Sequence, residues 1–342
     1  MPTLTIAELR SRIAALPRYS LARLPTPLDH MPRLSGALGI DLHVKREDMT
    51  GLAFGGNKTR ELDFFIGEAK ARGAAVFVAG GGVAQSNHAV QCSAAALRAG
   101  LKPVMVLHRF RADDVQGNLL LLHLMSVDVR FVEGASVDSA IDTRNALQDE
   151  MRKVAAEYES KGEPVWVLPS SFHVLGAIGY VDAAVELSGQ FAARSLEVDH
   201  VYLCSGGATQ VGLVLGFKAL GAKCKVTGIS YTASTTSLPA RMAELGAQVS
   251  ARLGLETRLL ESDIHNESYA GPGYGIATEG GREAIRLAAT HEGMFLDPVY
   301  SGKGMAGLVD HIRKGIVKKG TRVVFVHTGG LPGIFAYAKE LY

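Results

Sequence analysis

The sequence has few cysteines and no long apolar run. Its three cysteines, Cys92, Cys204 and Cys224, are widely spaced in 342 residues, and each lies in an apolar stretch. This usage is typical of reduced thiols and argues against a disulfide framework or a cysteine-based zinc site. No apolar run reaches the ~18 residues that a membrane-spanning helix requires. These absences predict a soluble, cytoplasmic protein.

The sequence also lacks an excess of either charge. Its 36 lysines and arginines nearly match its 34 acidic residues, which leaves a net charge of +2 and no block of like charge. We therefore expect neither nucleic acid nor a membrane surface as a partner. No group of His, Asp and Glu has the spacing of metal ligands, so we expect no metal. The first 24 residues lack the unbroken apolar stretch of a signal peptide.

Glycine, in contrast, is abundant, with 39 residues that suit tight turns between strands and helices. Apolar strands alternate with amphipathic helices, and the clearest predicted strands are residues 75–79, 103–108, 200–204, 225–230 and 322–326. This alternation predicts an α/β fold built from open, twisted parallel sheets with helices on both faces. Two glycine-rich loops, each at the carboxyl end of a strand, suggest two sheets that face a shared cleft.

Lys58 is the most informative single residue. It follows Gly55, Gly56 and Asn57 at the start of a predicted helix. A lysine in this position either neutralises a phosphate or supplies the amine that forms a Schiff base with a carbonyl cofactor. Three other segments, at residues 85–88, 205–210 and 327–330, favour the Schiff base. Together the four segments predict a pocket for pyridoxal phosphate.

The second glycine-rich loop lies between an apolar strand and a helix. It consists of Ser205, Gly206, Gly207, Ala208 and Thr209. Small residues let backbone N–H groups surround a dianion, and the start of the helix adds partial positive charge. A tight turn without a ligand explains the loop equally well. The loop matches neither a P-loop nor the three-glycine pattern of dinucleotide-binding proteins.

Residues 85–88 begin a helix after three glycines. Ser86 is a plausible N-cap, which is the structural explanation for a serine here. Alternatively, Ser86 and Asn87 face the cleft, where free N-terminal amides could bind a substrate carboxylate. Asn87 could also donate a hydrogen bond to a phenolic oxygen on a cofactor ring.

Three hydroxyl groups further along the chain are candidates for the same cleft. Tyr274 and Tyr300 lie among turn residues, where acid–base or stacking roles compete with simple packing. Thr328 follows the strand at 322–326 and precedes two glycines, so its hydroxyl could meet a ring nitrogen or cap the next helix.

With these segments assembled, the chain resembles the D-cysteine desulfhydrase and 1-aminocyclopropane-1-carboxylate deaminase family, including its cysteate sulfo-lyase branch. These pyridoxal-phosphate enzymes share the tryptophan-synthase β-subunit fold, also called fold type II. The resemblance extends from residues 24–28 to residues 335–337. Its motifs are Lys45-Arg46-Glu47-Asp48, Gly55-Gly56-Asn57-Lys58, Gln85-Ser86-Asn87-His88, Gly176-Ala177-Ile178-Gly179-Tyr180, Asp297-Pro298-Val299-Tyr300 and His327-Thr328-Gly329-Gly330.

The resemblance implies a role for each segment. Lys58 would bind pyridoxal phosphate covalently, and the loop at 205–209 would hold its phosphate. Asn87 would contact the phenolic oxygen, and Thr328 the pyridine nitrogen. The residues implied for the substrate are Ser86, Asn87 and His88 at its carboxylate and Tyr274 and Tyr300 beside it. The resemblance also implies a homodimer, and a small domain (59–172) inserted into a larger one (1–58 and 173–342).

Position 301 departs from the cyclopropane-opening branch, which looks to have Asp-Pro-Val-Tyr-Glu where this chain has Ser301. A carboxylate would keep the pyridine nitrogen protonated and stabilise a full carbanion, which ring opening needs. A hydroxyl leaves a weaker electron sink, which is sufficient when a good leaving group sits on Cβ. We therefore expect β-elimination, and we keep the deaminase and a non-catalytic amino-acid-binding or cofactor-binding protein as alternatives.

The leaving group distinguishes two substrates. D-cysteine would release sulfide and needs little extra charge in the pocket, whereas L-cysteate would release sulfite and needs donors for a sulfonate. The candidates for those donors are His88, His173, Arg60, Ser170 and Ser171. A purely structural role explains each of them equally well, and for His173 the structural role is slightly favoured.

Overall fold

The computed structural model describes residues 3–110, 114–133, 140–169, 172–233 and 235–342, with only the backbone of 140–145. Ser170 and Ser171 lie outside the described residues. The helices are α1 (Ile6–Ala14), α2 (Pro32–Leu38), α3 (Lys58–Ala71), α4 (Asn87–Arg98), α5 (Gly117–Leu124), α6 (Ala140–Glu159), α7 (Val174–Ala193), α8 (Ala208–Ala219), α9 (Leu238–Leu253), α10 (Glu279–Glu292), α11 (Ser301–Arg313) and α12 (Ala338–Leu341). Short 3-10 helices span Glu47–Met49, Glu261–Asp263 and Leu331–Tyr337.

The strands form two sheets. They are β1 (Leu28–His30), β2 (Asp41–Lys45), β3 (Val76–Val83), β4 (Lys102–His108), β5 (Asp128–Val132), β6 (Val165–Val167), β7 (His200–Cys204), β8 (Lys225–Ser230), β9 (His265–Ser268) and β10 (Arg322–Val326). The larger sheet has the order β1-β2-β10-β7-β8-β9, and the smaller has the order β5-β4-β3-β6. All the pairings are parallel except that of β1 with β2. The predicted α/β fold with parallel sheets is confirmed.

The two ends of the larger sheet are short strands that the sequence pattern did not reveal. At one end β1 has three residues and runs antiparallel to β2. At the other end β9 has four residues, and His265 and Glu267 on it are exposed. Neither strand has the continuous apolar pattern by which we recognised the inner strands. None of the helices in the described ranges is long and apolar enough to cross a membrane.

The carboxyl ends of the inner strands supply the predicted functional segments. The glycine-rich loop follows β7, Tyr231 follows β8, and Thr328 lies two residues beyond β10. In the smaller sheet, Ser86 lies three residues beyond β3. Parallel strands bring their carboxyl ends to one edge of a sheet, which is where ligands bind in open α/β folds.

The direction of α8 is fixed by close packing against α7. A Cβ atom added to Gly212 would lie 2.2 Å from the Ala177 carbonyl oxygen, and one added to Gly216 would lie 2.6 Å from Ala184 Cβ. Larger side chains at these two positions would therefore push the helices apart. Because α8 begins at the glycine-rich loop, this packing also fixes where the loop sits.

A buried ion pair holds the start of α3. The Arg60 guanidinium donates to both Glu47 carboxylate oxygens at 2.6 and 2.9 Å, with side-chain exposures of 1% and 0%. Arg60 also contacts Glu186 of α7 at 2.9 Å, and Lys45 of β2 pairs with the same Glu186. Although burial opposes it, the neighbouring Arg60 keeps the pKa of Glu47 below its usual value. This network joins β2, α3 and α7 two residues beyond Lys58.

We expect Glu47→Gln to lower the free energy of unfolding by about 3–5 kcal/mol, because it removes the bidentate partner of the buried Arg60 and leaves Glu186 to balance both Arg60 and Lys45. Glu283→Gln serves as the control, since it breaks an ion pair with Arg313 whose side chains are 44% and 59% exposed. Pairs of that kind contribute at most about 1 kcal/mol. Urea denaturation measures both values, and equal losses would contradict this role for the buried pair.

Candidate active site

Lys58 is the first residue of α3. The loop that precedes it packs directly against the segment after β10. The Asn57 backbone N–H donates to the Thr328 carbonyl oxygen at 3.0 Å. A Cβ atom added to Gly329 would lie 2.7 Å from Gly56 Cα, and Gly329 has a φ of +95°. Only glycine permits this backbone contact, which places the residues next to Lys58 against the residues next to Thr328.

The Lys58 amine also lies beside the glycine-rich loop. Its Nζ donates to both carboxylate oxygens of Glu61, at 3.0 and 3.1 Å. Thr209 Oγ1 donates to Glu61 Oε1 at 3.1 Å and accepts from Asn57 Nδ2 at 3.1 Å. Lys58 and Thr209 were predicted for one pocket, and the two are linked here through a shared carboxylate.

Glu61 was not among the predicted site residues. It is buried, and burial raises the pKa of its carboxyl group despite the adjacent Lys58. Burial works to lower the pKa of Lys58, but the Glu61 carboxylate outweighs it and holds that pKa above its ordinary value. The sequence signal for this pair is its spacing, because residues three apart on a helix face each other.

The glycine-rich loop has the local structure of an anion site. Gly207 is the N-cap of α8, and no side chain caps the first amides of that helix. Ser205 Oγ accepts a hydrogen bond from the Gly207 N–H at 3.2 Å. A Cβ atom on Gly206 would lie 3.2 Å from Ser230 Oγ, so this glycine keeps the loop open. Uncapped amides at a helix start attract negative charge.

The start of α4 is capped by Ser86, and Asn87 is held by a neighbouring side chain. Ser86 is the N-cap and accepts from the Ala89 N–H at 3.3 Å. Asn87 Oδ1 accepts from Asn118 Nδ2 at 2.8 Å, and Asn118 Nδ2 also donates to the Gln85 carbonyl oxygen at 2.9 Å. Asn118 thus fixes the orientation of Asn87, with the Asn87 amide nitrogen as its remaining donor group. Sequence reasoning missed Asn118, which approaches from α5.

The two predicted tyrosines contact each other. The hydroxyl groups of Tyr274 and Tyr300 are hydrogen-bonded, and burial raises the pKa of both. A third ring, Tyr231, packs edge-on against Tyr300 with the centroids 4.8 Å apart. A Cβ atom on Gly82 would lie 3.0 Å from Ser86 Oγ and 3.2 Å from Tyr274 Oη. The tyrosines therefore face Ser86 across a narrow gap.

Ser301 is buried at the start of α11 and is fully hydrogen-bonded. Its hydroxyl contacts Asp297 Oδ1 at 2.7 Å and the Gly329 carbonyl oxygen at 3.2 Å. The Asp297 carboxylate also accepts three backbone N–H groups, from residues 299, 300 and 301, at 2.8–2.9 Å. Ser301 thus lies next to the segment that carries Thr328, and Asp297 is the buried carboxylate behind it.

The two histidines predicted for the substrate differ in their surroundings. The His88 ring lies 3.6 Å from Cys92 Sγ, and burial together with the nearby Lys58 charge lowers the pKa of His88 to about 3. His173 is the N-cap of α7, where its Nδ1 accepts from the Leu175 N–H at 3.2 Å. It lines a cavity of about 670 Å³ with residues that include Glu68 and Trp166. These contacts do not connect His173 to Lys58.

One of the predicted charges is engaged elsewhere. Arg60, a candidate for a sulfonate, has its guanidinium on Glu47 and Glu186 and is buried. Of the two explanations open for Arg60, the contacts favour a structural residue over a sulfonate donor, because removing it from Glu47 would leave a buried carboxylate without its ion-pair partner.

One group of potential metal ligands lies at the sheet edge. Among the described residues, the ligand atoms of His30, Asp41 and His43 are within 4.8 Å of one another. The antiparallel register places His30 opposite His43, a proximity that sequence spacing could not reveal. Arg322 Nε donates to Asp41 Oδ2 at 2.6 Å, so the negative charge of this group is already neutralised.

Comparison with known proteins gives consistent results. The family described as "Pyridoxal-phosphate dependent enzyme" matches residues 19–329. A 1-aminocyclopropane-1-carboxylate deaminase from Burkholderia ambifaria (strain MC40-6) is 39% identical over 335 residues, which cover 94% of this chain and 97% of the relative. A solved homologue of that deaminase has a TM-score of 0.87 at 31% identity, covering 98% of each chain.

A more distant structure, a threonine deaminase from Solanum lycopersicum, has a TM-score of 0.68 at 15% identity and covers 100% of this chain and 95% of its own. At that identity the likeness extends to the fold alone.

We expect the His88 imidazole to remain neutral between pH about 5 and 8, because burial and the Lys58 charge both disfavour its cation. Since burial lowers the pKa of His88 from 6.5 to about 3, its contribution to the free energy of unfolding is fully present above pH about 6.5 and is lost as the pH falls from about 6.5 to about 3. NMR titration of labelled histidine, with His88→Gln to assign the signal, measures the pKa. A midpoint near 6.5 would contradict the described environment.

Proposed function

This chain belongs to the pyridoxal-phosphate dependent enzymes, and we propose that it eliminates sulfur from Cβ of a small amino acid. The preferred substrate is D-cysteine, which with water yields pyruvate, sulfide and ammonia. The observation that carries the proposal is Ser301, whose neutral hydroxyl lies beside the Thr328 segment and is bonded to Asp297 and Gly329.

The residues around Lys58 fit the cofactor. Lys58 provides an amine within hydrogen-bonding distance of Glu61, and Thr209 at the start of α8 meets the same carboxylate. The uncapped start of α8, with glycine at 206 and 207, suits a phosphate. The Asn87 amide nitrogen would donate a hydrogen bond to the phenolic oxygen. The Thr328 hydroxyl would form a hydrogen bond with the pyridine nitrogen. The Glu61 carboxylate, which contacts Thr209, opposes a phosphate.

Lys58 acts as the base in the proposed reaction. When bound, pyridoxal phosphate withdraws electrons from the substrate Cα and so makes its proton acidic. Lys58 Nζ would take that Cα proton as the general base. The sulfur then leaves Cβ with the bonding electrons.

Ser86, Asn87 and the tyrosines bind and orient the substrate. Ser86 Oγ borders the space beside Gly82, and the start of α4 that it caps suits the substrate carboxylate. Burial raises the pKa of Tyr274 and Tyr300, so both keep their protons at neutral pH. Their linked hydroxyl groups can therefore donate a hydrogen bond to the leaving sulfur.

The choice of elimination over ring opening follows from position 301. The Ser301 hydroxyl is neutral and already bonds two oxygen atoms, so it supplies no negative charge to hold a proton on a ring nitrogen. A substrate with a leaving group on Cβ needs less carbanion stabilisation than a strained ring without one.

The choice of a thiol over a sulfonate follows from the charges in the pocket. Arg60 is engaged by Glu47, and His88 is neutral because its pKa is about 3. Burial also lowers the pKa of His173. Among the candidate donors that the structure describes, none offers a free cation to a sulfonate, whereas cysteine needs none. The D configuration rests on the family resemblance.

The second candidate function is 1-aminocyclopropane-1-carboxylate deamination. It is favoured by the name of the relative that is 39% identical over 94% of this chain. A protein that binds an amino acid or the cofactor without turnover is a third possibility, and the presence of Lys58, Ser86 and both tyrosines argues against it.

We further propose that the chain forms a homodimer and that residues 59–172 form a small domain inserted between 1–58 and 173–342. All strands of the smaller sheet lie within that insertion, which supports its limits.

Three substrates assayed side by side test the proposal. We expect D-cysteine to yield equal amounts of pyruvate and sulfide at a rate at least tenfold above the other two. L-cysteate giving pyruvate and sulfite would make the enzyme a sulfo-lyase. 1-Aminocyclopropane-1-carboxylate giving 2-oxobutanoate and ammonia at the highest rate would overturn the argument from Ser301.

Two Lys58 variants accompany the assay. Lys58→Ala and Lys58→Arg should both lose the absorption band of covalently bound cofactor and all turnover, since neither side chain can form the bond. Lys58→Ala leaves the buried Glu61 carboxylate without its cation and could destabilise the fold. Lys58→Arg keeps a cation beside Glu61 and therefore controls for that effect. Turnover by a folded variant at the wild-type rate would refute Lys58 as the cofactor lysine.

Gly82→Ala should reduce turnover at least tenfold, because the new methyl group would fill the gap between Ser86 Oγ and Tyr274 Oη. Gly100→Ala is the matched control. The two glycines have φ values of +75° and +71°, but a Cβ atom on Gly100 meets nothing within 4 Å. Both variants share a backbone cost of about 1–2 kcal/mol. If both lose activity equally, the gap beside Gly82 is not the substrate site.

A further inference from the structure

The Glu61 carboxylate occupies an unusual place between a lysine and an anion site. Lys58 Nζ donates to both of its oxygens, and Thr209 Oγ1 donates to Oε1. Its Oε2 lies against α7, where a Cβ atom on Gly176 would be 3.2 Å away. The side chain is 1% exposed, so water does not screen its charge.

This arrangement conflicts with the cofactor in two ways if Glu61 stays ionised. A phosphate at the start of α8 would place negative charge close to a buried carboxylate, since Thr209 belongs to both sites. In addition, the carboxylate keeps Lys58 protonated, and an ammonium group cannot attack a carbonyl carbon. Both conflicts disappear if one proton moves from the amine to the carboxylate.

We propose that Glu61 accepts the Lys58 proton when pyridoxal phosphate enters the cleft and remains a neutral carboxylic acid while the cofactor is bound. This rests on the proposed role of Lys58 as the cofactor lysine. An N–H bond of Lys58 breaks and an O–H bond forms at Glu61 Oε2, because Oε1 already accepts from Thr209. The pair is neutral in total before and after the transfer. Glu61 acts on Lys58 and is a positioning residue.

The other titratable groups that face this pair do not compete for the proton. Burial raises the pKa of the Cys92 thiol and of the Tyr180 phenol, so both are already protonated at neutral pH. His88 has a pKa of about 3, and the phenol of Tyr231 also faces Lys58. Of these described neighbours, only Glu61 both contacts Lys58 Nζ and has an oxygen atom that can accept its proton.

Infrared difference spectroscopy on the wild-type enzyme tests the proposal directly. Adding pyridoxal phosphate to the cofactor-free protein should produce the carbonyl band of a neutral carboxylic acid, which shifts when glutamate is labelled with ¹³C. Glu61→Gln should lack this band, whereas Glu68→Gln, on the same helix but paired with Arg72 at the surface, should keep it. Absence of the band from wild-type protein that binds the cofactor would refute the proposal.

The rate of cofactor uptake provides a second readout. The rate of cofactor uptake by Glu61→Gln should rise with pH more steeply than that of the wild type, by up to about tenfold per pH unit. In this variant Lys58 must lose its proton to solvent. Glu61→Asp keeps an acceptor and should restore the wild-type profile. Identical pH profiles for wild type and Glu61→Gln would also refute the proposal.

These measurements separate the two hypotheses. If Lys58→Ala binds the cofactor with an unchanged absorption band, the assignment of Lys58 fails, whatever Glu61 does. If Lys58 binds the cofactor covalently and no neutral carboxyl band forms, only the inference on Glu61 fails.

Discussion

The geometry of the cleft depends on a guanidinium and a carboxylate that meet away from water. Arg60 is two residues beyond Lys58, and Glu47 follows β2, so their contact ties the first turn of α3 to the carboxyl end of that strand. Separating them would leave a buried charge unpaired, which costs several kcal/mol. Tyr180 donates to the same Glu47 at 3.1 Å and extends the constraint to α7. The first turn of α3, which carries Lys58, is thus held by side chains that do not contact the Lys58 amine.

Around this anchor the fold assembles the cleft from short segments that follow strands. The contact between Gly56 and Gly329 joins the Lys58 loop to the end of β10, and Thr209 joins it to the end of β7. Across the gap, the start of α4 faces the linked tyrosines beside Gly82. Each segment consists of consecutive residues, whereas every contact between segments joins residues more than twenty positions apart in the sequence.

That difference explains what the sequence could and could not predict. Strand–helix alternation and the motifs around Lys58, Ser86 and Thr328 were sufficient for the fold class and the cofactor, because each depends on neighbouring residues. The pairing of Lys58 with Glu61 was accessible from helical spacing but was overlooked. The orientation of Asn87 by Asn118 could not be foreseen, since it depends on how α5 packs against α4. The burial of Arg60 could not be predicted either, because it depends on how Glu47 after β2 and Glu186 of α7 pack around it.

The short outer strands have a consequence for how copies of the chain can meet. One edge of the larger sheet is closed by the three-residue antiparallel β1, and the other ends in β9 with His265 and Glu267 exposed. Brief, polar edge strands are poor templates for another backbone. Fibril-like growth through this sheet is therefore disfavoured, and association between chains is left to side chains on helices and loops.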